Sequence, residues 1–215
     1  MAGKSSSRPY DSTRRRAQAE LTRRDILAAA ERLLARDGYA RTTIASVAAE
    51  AGVATKTVYL AFATKSGLLR ALWNSRLRGG EGEAPVAERP WFREVVEEPD
   101  PERRLQLAAR RSREAKERIG SVIGVIREAA VIDADVAALW DRIETEFHAN
   151  QRVIVDSLAD AGALRPGLDA EEAADILWTL NHPDVWRALV GRRGWTPEQW
   201  ESWFAATAIS QLLRT

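Results

Sequence analysis

A tight turn at Ala51-Gly52-Val53, set between two short apolar-patterned segments, limits what this chain can fold into. Before it, Ile44, Val47 and Ala48 recur at spacings of three and four. After it, residues 54–60 place Val58 on the side of Val53 and Phe62. Gly52 supplies the positive φ that such a turn needs. Two short helices joined by a glycine turn are the plan of a helix-turn-helix, whose second helix enters the DNA major groove.

Charge supports that reading. The formal net charge is only +1, but residues 1–78 hold 15 Lys and Arg against 6 Asp and Glu, a balance of +9. From residue 79 on there are 17 against 25, a balance of −8. The first third should attract a polyanion and the remainder should not.

The periodicity is helical throughout. Residues 1–18 are polar and lack a core-forming pattern. They carry Arg14, Arg15 and Arg16 and are expected as a flexible basic arm that can lie on phosphates or in a minor groove. A first helix runs from about residue 20, with Glu20 or Thr22 at its start, to Asp37. Ile26, Leu27, Ala30, Leu33 and Leu34 form its stripe, Gly38 ends it and Tyr39 packs back as an anchor. Thr42 or Thr43 caps the next helix, leaving the other threonine free for a phosphate. Val53 is expected to be buried in the turn. On the following helix Thr55, Lys56, Thr57 and Tyr59 face outward as the reading surface. Thr64 caps a fourth helix. Lys65 in its first turn opposes the helix dipole, which a neighbouring phosphate would explain.

Residues 79–90 break the pattern and mark a domain boundary. Trp91, Phe92, Val95 and Val96 form an apolar patch there that covers helix ends or lines a pocket entrance. Helices are expected at 101–113, 114–130, 134–162 with Asp133 as cap, and 169–181 with Asp169 and Glu172 as a capping box. A short helix follows from Pro183 to a stop at Gly191. A last one has Thr196 as cap, Pro197 at its first position and Gln199 at its third. No strand and no internal repeat is expected. The fold class is all-α: a basic arm (1–18), a helix-turn-helix head with its connecting helix (19–78) and a larger helical bundle (79–215).

The chain lacks cysteine, which excludes disulfides and thiolate metal sites. It has no HExxH, GxSxG or phosphate-loop pattern, and His148 and His182 have no carboxylate at a fixed spacing. No catalytic residue, metal or cofactor is expected. Nor is a secretory signal, since no apolar run follows the basic N-terminus. No run of about 20 apolar residues would span a membrane.

The stretch ILAAAERLLARDGYARTTIASVAAEAGVATKTVYLAFATKSGLL, residues 26–69, resembles the TetR family of bacterial transcriptional repressors. Gly38-Tyr39, Thr42-Thr43, Ile44, Val47-Ala48, Ala51-Gly52-Val53, Thr57-Val58-Tyr59, Phe62 and Lys65 carry the likeness. Beyond it the resemblance is looser. It implies a cytoplasmic protein on the bacterial chromosome, a homodimer on a palindromic operator, released by a small molecule. Thr55, Lys56, Thr57 and Tyr59 would face DNA, and Thr43 and Lys65 would hold phosphates. The helices at 169–181 and 197–213 would pair two chains through Ala173, Leu177, Trp203, Ala205, Ala208 and Leu212. The bundle would hold an apolar or aromatic effector near Trp140, Phe147, His148, Trp178, Asn181 and His182. Three positions depart from the family pattern: Ala54, Ala61 and Gly67 stand where a serine cap, an aromatic or histidine, and a glutamate are common. The competing readings are a non-specific architectural DNA binder and a helical protein-interaction module.

Overall fold

The computed structural model describes residues 10–78 and 85–214. These form two compact units, residues 1–72 and 73–215. In the first, α1 spans Tyr10–Arg41, with its helical geometry broken at Gly38 (φ 74°, ψ 171°). Then come α2 (Ile44–Glu50), α3 (Thr55–Phe62) and α4 (Lys65–Arg78), whose C-terminal half belongs to the second unit. The second unit continues with a single 3-10 turn, Val86–Glu88, then α5 (Pro90–Glu97), α6 (Pro101–Ala129), α7 (Ala134–Asp160) and α8 (Ala170–Asn181). The short α9 (Pro183–Trp186) runs into a π turn, Arg187–Arg192, and α10 (Pro197–Leu212) closes the chain. Among the described residues the only strand-like feature is one isolated bridge, Leu164 to Leu213.

The apolar stripes pack as their periods require. Ile26, Ala29, Ala30, Val47 and Val58 are at 0% exposure in the head. In the bundle, α6, α8 and α10 close around Leu105, Leu177, Trp200, Ala208 and Leu212, all at 0%. Trp200 stacks on Phe204 at 5.1 Å and meets Trp186 edge-on at 5.1 Å. Helix starts are tied by side chains. Asp100 accepts from the Arg103 N–H, Asp133 from those of Asp135 and Val136, and Asp169 from those of Glu171 and Glu172. Thr196 and Gln199 complete a reciprocal capping box.

Several boundaries differ from the sequence expectation. Residues 10–18 of the basic arm are helical and continue α1, so that helix starts neither at Glu20 nor at Thr22. Arg14, Arg15 and Arg16 are exposed on it, and residues 1–9 of the arm lie outside the described residues. This turn of helix is polar all round, so no apolar period announces it. The apolar patch around Trp91 is a helix of its own, α5, with Pro90 at its first position and Phe92 and Val95 buried. Residues 101–113 and 114–130 are one helix, because nothing between them breaks it. Arg110 pairs with Glu114 and Arg113 with Glu117 across the expected junction. Val53 is half-buried rather than buried.

A candidate DNA-reading head and a cavity in the helical bundle

The turn between α2 and α3 is a Schellman motif. The Val53 N–H donates to the Ala48 carbonyl (3.0 Å) and the Gly52 N–H to that of Ala49 (3.2 Å). Gly52 sits at φ 67°. At the other end of α2, Thr43 is the cap. Its Oγ1 accepts from the Ser46 N–H (3.0 Å), and the Thr43 N–H donates to Ser46 Oγ (3.0 Å). Thr43 is exposed at that helix start, the end of a helix that favours an anion.

Thr42 does not. It is buried at 3% exposure and its hydroxyl donates to the Gly38 carbonyl (2.9 Å), so the expectation that the non-capping threonine is free for a phosphate is wrong. The hydroxyl instead closes the broken end of α1.

On α3, Thr55 and Lys56 are exposed, Tyr59 is 52% exposed and Thr57 is half-buried. Leu60, at 78%, adds an apolar contact to the same surface that the sequence reading passed over, having counted it only as a helix end. Ala54 caps α3 without a side-chain hydrogen bond. Arg23, on α1, donates to the Ala61 carbonyl (3.1 Å) and lies 4.4 Å from the Phe62 ring centre, pinning the end of the reading helix. Lys65 is half-buried with its ammonium 3.9 Å from the centre of the Tyr39 ring. That contact is a second reason, besides a phosphate, for a lysine in the first turn of α4.

The joint between α3 and α4 is strained. Ala63 has φ 61° and ψ −51°, and the Thr64 N–H reaches the Phe62 carbonyl at 2.7 Å, a γ-turn of the rare hand. Thr64 Oγ1 then accepts from the Gly67 N–H (2.9 Å), the expected cap.

In the second unit a cavity of about 110 Å³ is enclosed by α4 to α8, with Trp73, Leu77, Trp91, Phe92, Ile119, Ile143, Phe147 and Ile154 among its apolar walls. Phe147 and Asn181 line it as expected. Trp140 instead lines a second cavity of about 200 Å³, between α6, α7 and α9. Trp178, His148 and His182 line neither cavity. Trp178 is half-buried and stands edge-on to His182 (5.0 Å) and His148 (6.2 Å). Both histidines have carboxylate partners that sequence spacing could not reveal. His148 pairs with Asp175 (2.8 Å) and His182 with Glu144 (3.1 Å), tying α7 to the α8 region. The apolar patch at Trp91 lines the cavity rather than merely covering helix ends. Among the described residues no group of His, Asp or Glu is placed to hold a metal ion.

The residue that sequence reading missed is Lys116. It lies on α6 between the two cavities, lining both, and is 5% exposed. Its ammonium donates to Asn181 Oδ1 (2.5 Å) and lies 4.6 Å from the Trp200 ring centre and 5.8 Å from that of Phe147. Asn181 is spent in turn, donating to Ser112 Oγ (3.0 Å) and Gln151 Oε1 (3.1 Å). Burial lowers the Lys116 pKa to about 7. Below pH 7 the ammonium is charged in the folded and unfolded states alike, and the cost of burying it is fully present. As pH rises from 7 towards the ordinary lysine value, the unfolded state binds the extra proton and the folded state gains. The stability of the native protein relative to Lys116→Met should therefore climb by up to about 1.4 kcal/mol per pH unit over that window. Urea unfolding at pH 6, 8 and 9.5 followed by tryptophan fluorescence measures it, and a difference independent of pH would refute the buried cation.

Five of the six residues expected to pair two chains are core within one. Ala173, Leu177, Ala208 and Leu212 are at 0% exposure and Ala205 at 9%. Their small and branched side chains serve the packing of α8 and α10 inside the bundle, so they offer no face to a partner. Trp203 is half-buried, edge-on to Trp195 at 6.2 Å.

A short buried helix, a glycine-locked turn and an exposed second helix define a helix-turn-helix protein of the DNA-binding class. Residues 26–72 match the family described as bacterial regulatory proteins, tetR family, so the likeness to that family lies in this head. Solved structures of similar fold include the SmeT–triclosan complex (19% identity, 90% of this chain and 92% of that one, TM-score 0.69). Another is NalD, the secondary repressor of the MexAB-OprM multidrug efflux pump in Pseudomonas aeruginosa (20%, 91% and 98%, TM-score 0.69). A transcriptional regulator from Saccharomonospora viridis in complex with choline is similar as well (20%, 91% and 100%, TM-score 0.68). At these identities the likeness is one of fold. No curated protein matches the chain in sequence.

Proposed function

We propose that the chain is a ligand-responsive transcriptional repressor that binds a palindromic operator as a homodimer and lets go when a small molecule fills its bundle. The observation that carries this reading is the course of α4. The helix starts at the Thr64 cap in the head, and its last turns bring Trp73 and Leu77 to the cavity wall. A ligand that prefers one setting of those side chains prefers one setting of the helix, and it weakens DNA binding only to the extent of that preference. Among the proteins of similar fold, NalD is the secondary repressor of a multidrug efflux pump and SmeT is found in complex with triclosan, which supports repression and release here.

A single short reading helix touches few bases, so specificity calls for two heads about 34 Å apart on the duplex. The outward sides of α8 and α10 suit the pairing. Ile176, Leu180, Trp203 and Ile209 are half-buried there, beside the exposed small residues Ser202, Ala206 and Ser210. The protein would act in the cytoplasm on the chromosome, and no described helix is long and apolar enough to cross a membrane.

Two substitutions test the reading surface. Lys65→Ala should weaken binding to every duplex alike and lower the slope of log affinity against log salt by up to about one unit. Lys56→Ala should change base preference in competition between duplexes. Equal loss on all sequences for Lys56→Ala would make α3 a positioning helix. An unchanged salt slope for Lys65→Ala would remove its ammonium from the phosphate contacts.

A further inference from the structure

We propose that the α4–α8 cavity takes a largely apolar monoanion whose acidic head group accepts from the Lys116 ammonium. The inference rests on reading that cavity as the effector site and names the class of effector it takes.

Lys116 is an ammonium with three donors, and one of them reaches Asn181. The rest of its surroundings are the faces of Trp200 and Phe147 and the two cavities. A cavity of about 110 Å³ is far beyond the ~10–15 Å³ that one water occupies by that measure. Charged groups on the neighbouring elements are engaged elsewhere. Arg111 holds Glu94 and Glu114, Arg113 holds Glu201, and Arg127 and Arg187 hold Asp184. Glu146 is exposed. No carboxylate of the chain forms an ion pair with Lys116 within 4 Å among the described residues, and burial is what lowers its pKa. A buried cation without an anion is costly, and a ligand that brings one removes the cost. The amide network fixes the geometry. Asn181 turns its oxygen to the ammonium because its nitrogen is committed to Ser112 and Gln151. Glu144 sets the limit on charge. One oxygen is bonded to His182 while the other is buried without a hydrogen bond, on the wall of the same cavity. A second negative group on the ligand would meet it, so a dianion is disfavoured.

The test uses the full chain, with tryptophan fluorescence and calorimetry as readouts. The probes are 4-phenylbutyrate, indole-3-butyrate and decanoate, each against its primary amide, with decanedioate as the dianion and choline as the cation. The acids should bind about 10–100-fold tighter than their amides at pH 6.5, the range of a charge-assisted hydrogen bond. Decanoate should bind tighter than decanedioate, and choline should bind no better than the amides. At pH 8 the acids should take up close to one proton on binding and the amides none. Lys116→Met and, as a second variant, Lys116→Gln should both abolish the preference for acid over amide. Equal binding of acids and amides, an unchanged preference in a folded variant, or no saturation by any acid below about 1 mM overturns the proposal. Release of operator DNA is read separately. Amides that bind as well as acids and release DNA sink the role of Lys116 and leave the regulator standing. Acids held by Lys116 that leave DNA binding untouched support the acid site and sink the effector reading.

Discussion

Gly67→Ala is expected to destabilise the head by about 2 kcal/mol. A Cβ at this position would stand 2.3 Å from the Phe62 carbonyl oxygen and 3.2 Å from Thr64 Oγ1. The nearer atom is backbone and cannot swing aside. It is held by the Thr64 N–H across the γ-turn at Ala63. Alanine gains about 1 kcal/mol over glycine in helix propensity, and overpacking against a fixed group costs about 1–3 kcal/mol or more, so the clash wins. The same geometry explains why this chain departs from a family in which glutamate is common at the position. At the neighbouring Ala63, substitution by glycine (Ala63→Gly) should stabilise the head by about 1 kcal/mol, because it relieves a positive φ. Every tryptophan lies in residues 73–215, so fluorescence is blind to this unit. Amide exchange at Ile26, Val47 and Val58 reads it. Protection unchanged by Gly67→Ala would mean that the α3–α4 joint relaxes freely and that its strain is not a feature of the fold.

Arg104→Met should cost the second unit about 3 kcal/mol, reading the loss as the desolvation of orphaned acceptors. Arg104 is 5% exposed and acts as a bracket. Its Nε donates to the Glu98 carbonyl (2.8 Å), and one terminal nitrogen donates to the Ser157 carbonyl (2.6 Å) and hydroxyl (2.9 Å). Methionine fills much of the volume but leaves the partly buried Glu98 and Ser157 carbonyls without that donor, while the Ser157 hydroxyl keeps its bond to the Ile154 carbonyl (2.6 Å). Arg104→Lys keeps the charge and loses the fork, so it should fall between the two. Tryptophan fluorescence during urea unfolding is suited to this unit for the reason that made it useless for the other. A loss within about 0.5 kcal/mol would show that the carbonyls find water and that the bracket adds little.

The head was the most legible part of the chain. Gly52, Thr64 and the stripe of Ile44, Val47, Ala48 and Val58 are local features, each interpretable from a window of a few residues. The choice between Thr42 and Thr43 was not, because it depends on which hydroxyl meets the Gly38 carbonyl across a broken helix end. In the bundle, helices came from their period and caps from Asp133, Asp169 and Thr196, but the site did not. Lys116 sits in a run of charged residues that reads as solvated. One signal was present: Ser112, Lys116, Ile119 and Ile123 follow each other at steps of four, three and four, which puts the lysine on the inward stripe. The carboxylate partners of His148 and His182 come from other helices, and no spacing rule reaches them. All but Trp203 of the residues chosen for pairing two chains proved to be core, for a related reason. Small side chains on α8 and α10 permit a close crossing, and sequence cannot tell a crossing within one bundle from one between two.

The central claim is that two reading heads recognise one inverted repeat and that the bundle controls them. Selection from a random duplex pool at about 0.15 M salt, near physiological screening, followed by titration of the winner, tests it most directly. The account predicts an enriched inverted repeat with half-sites about one helical turn apart, bound by two chains. Binding without an enriched sequence would contradict it in favour of a non-specific architectural protein, and no binding to any duplex would leave a helical interaction module whose basic head is incidental.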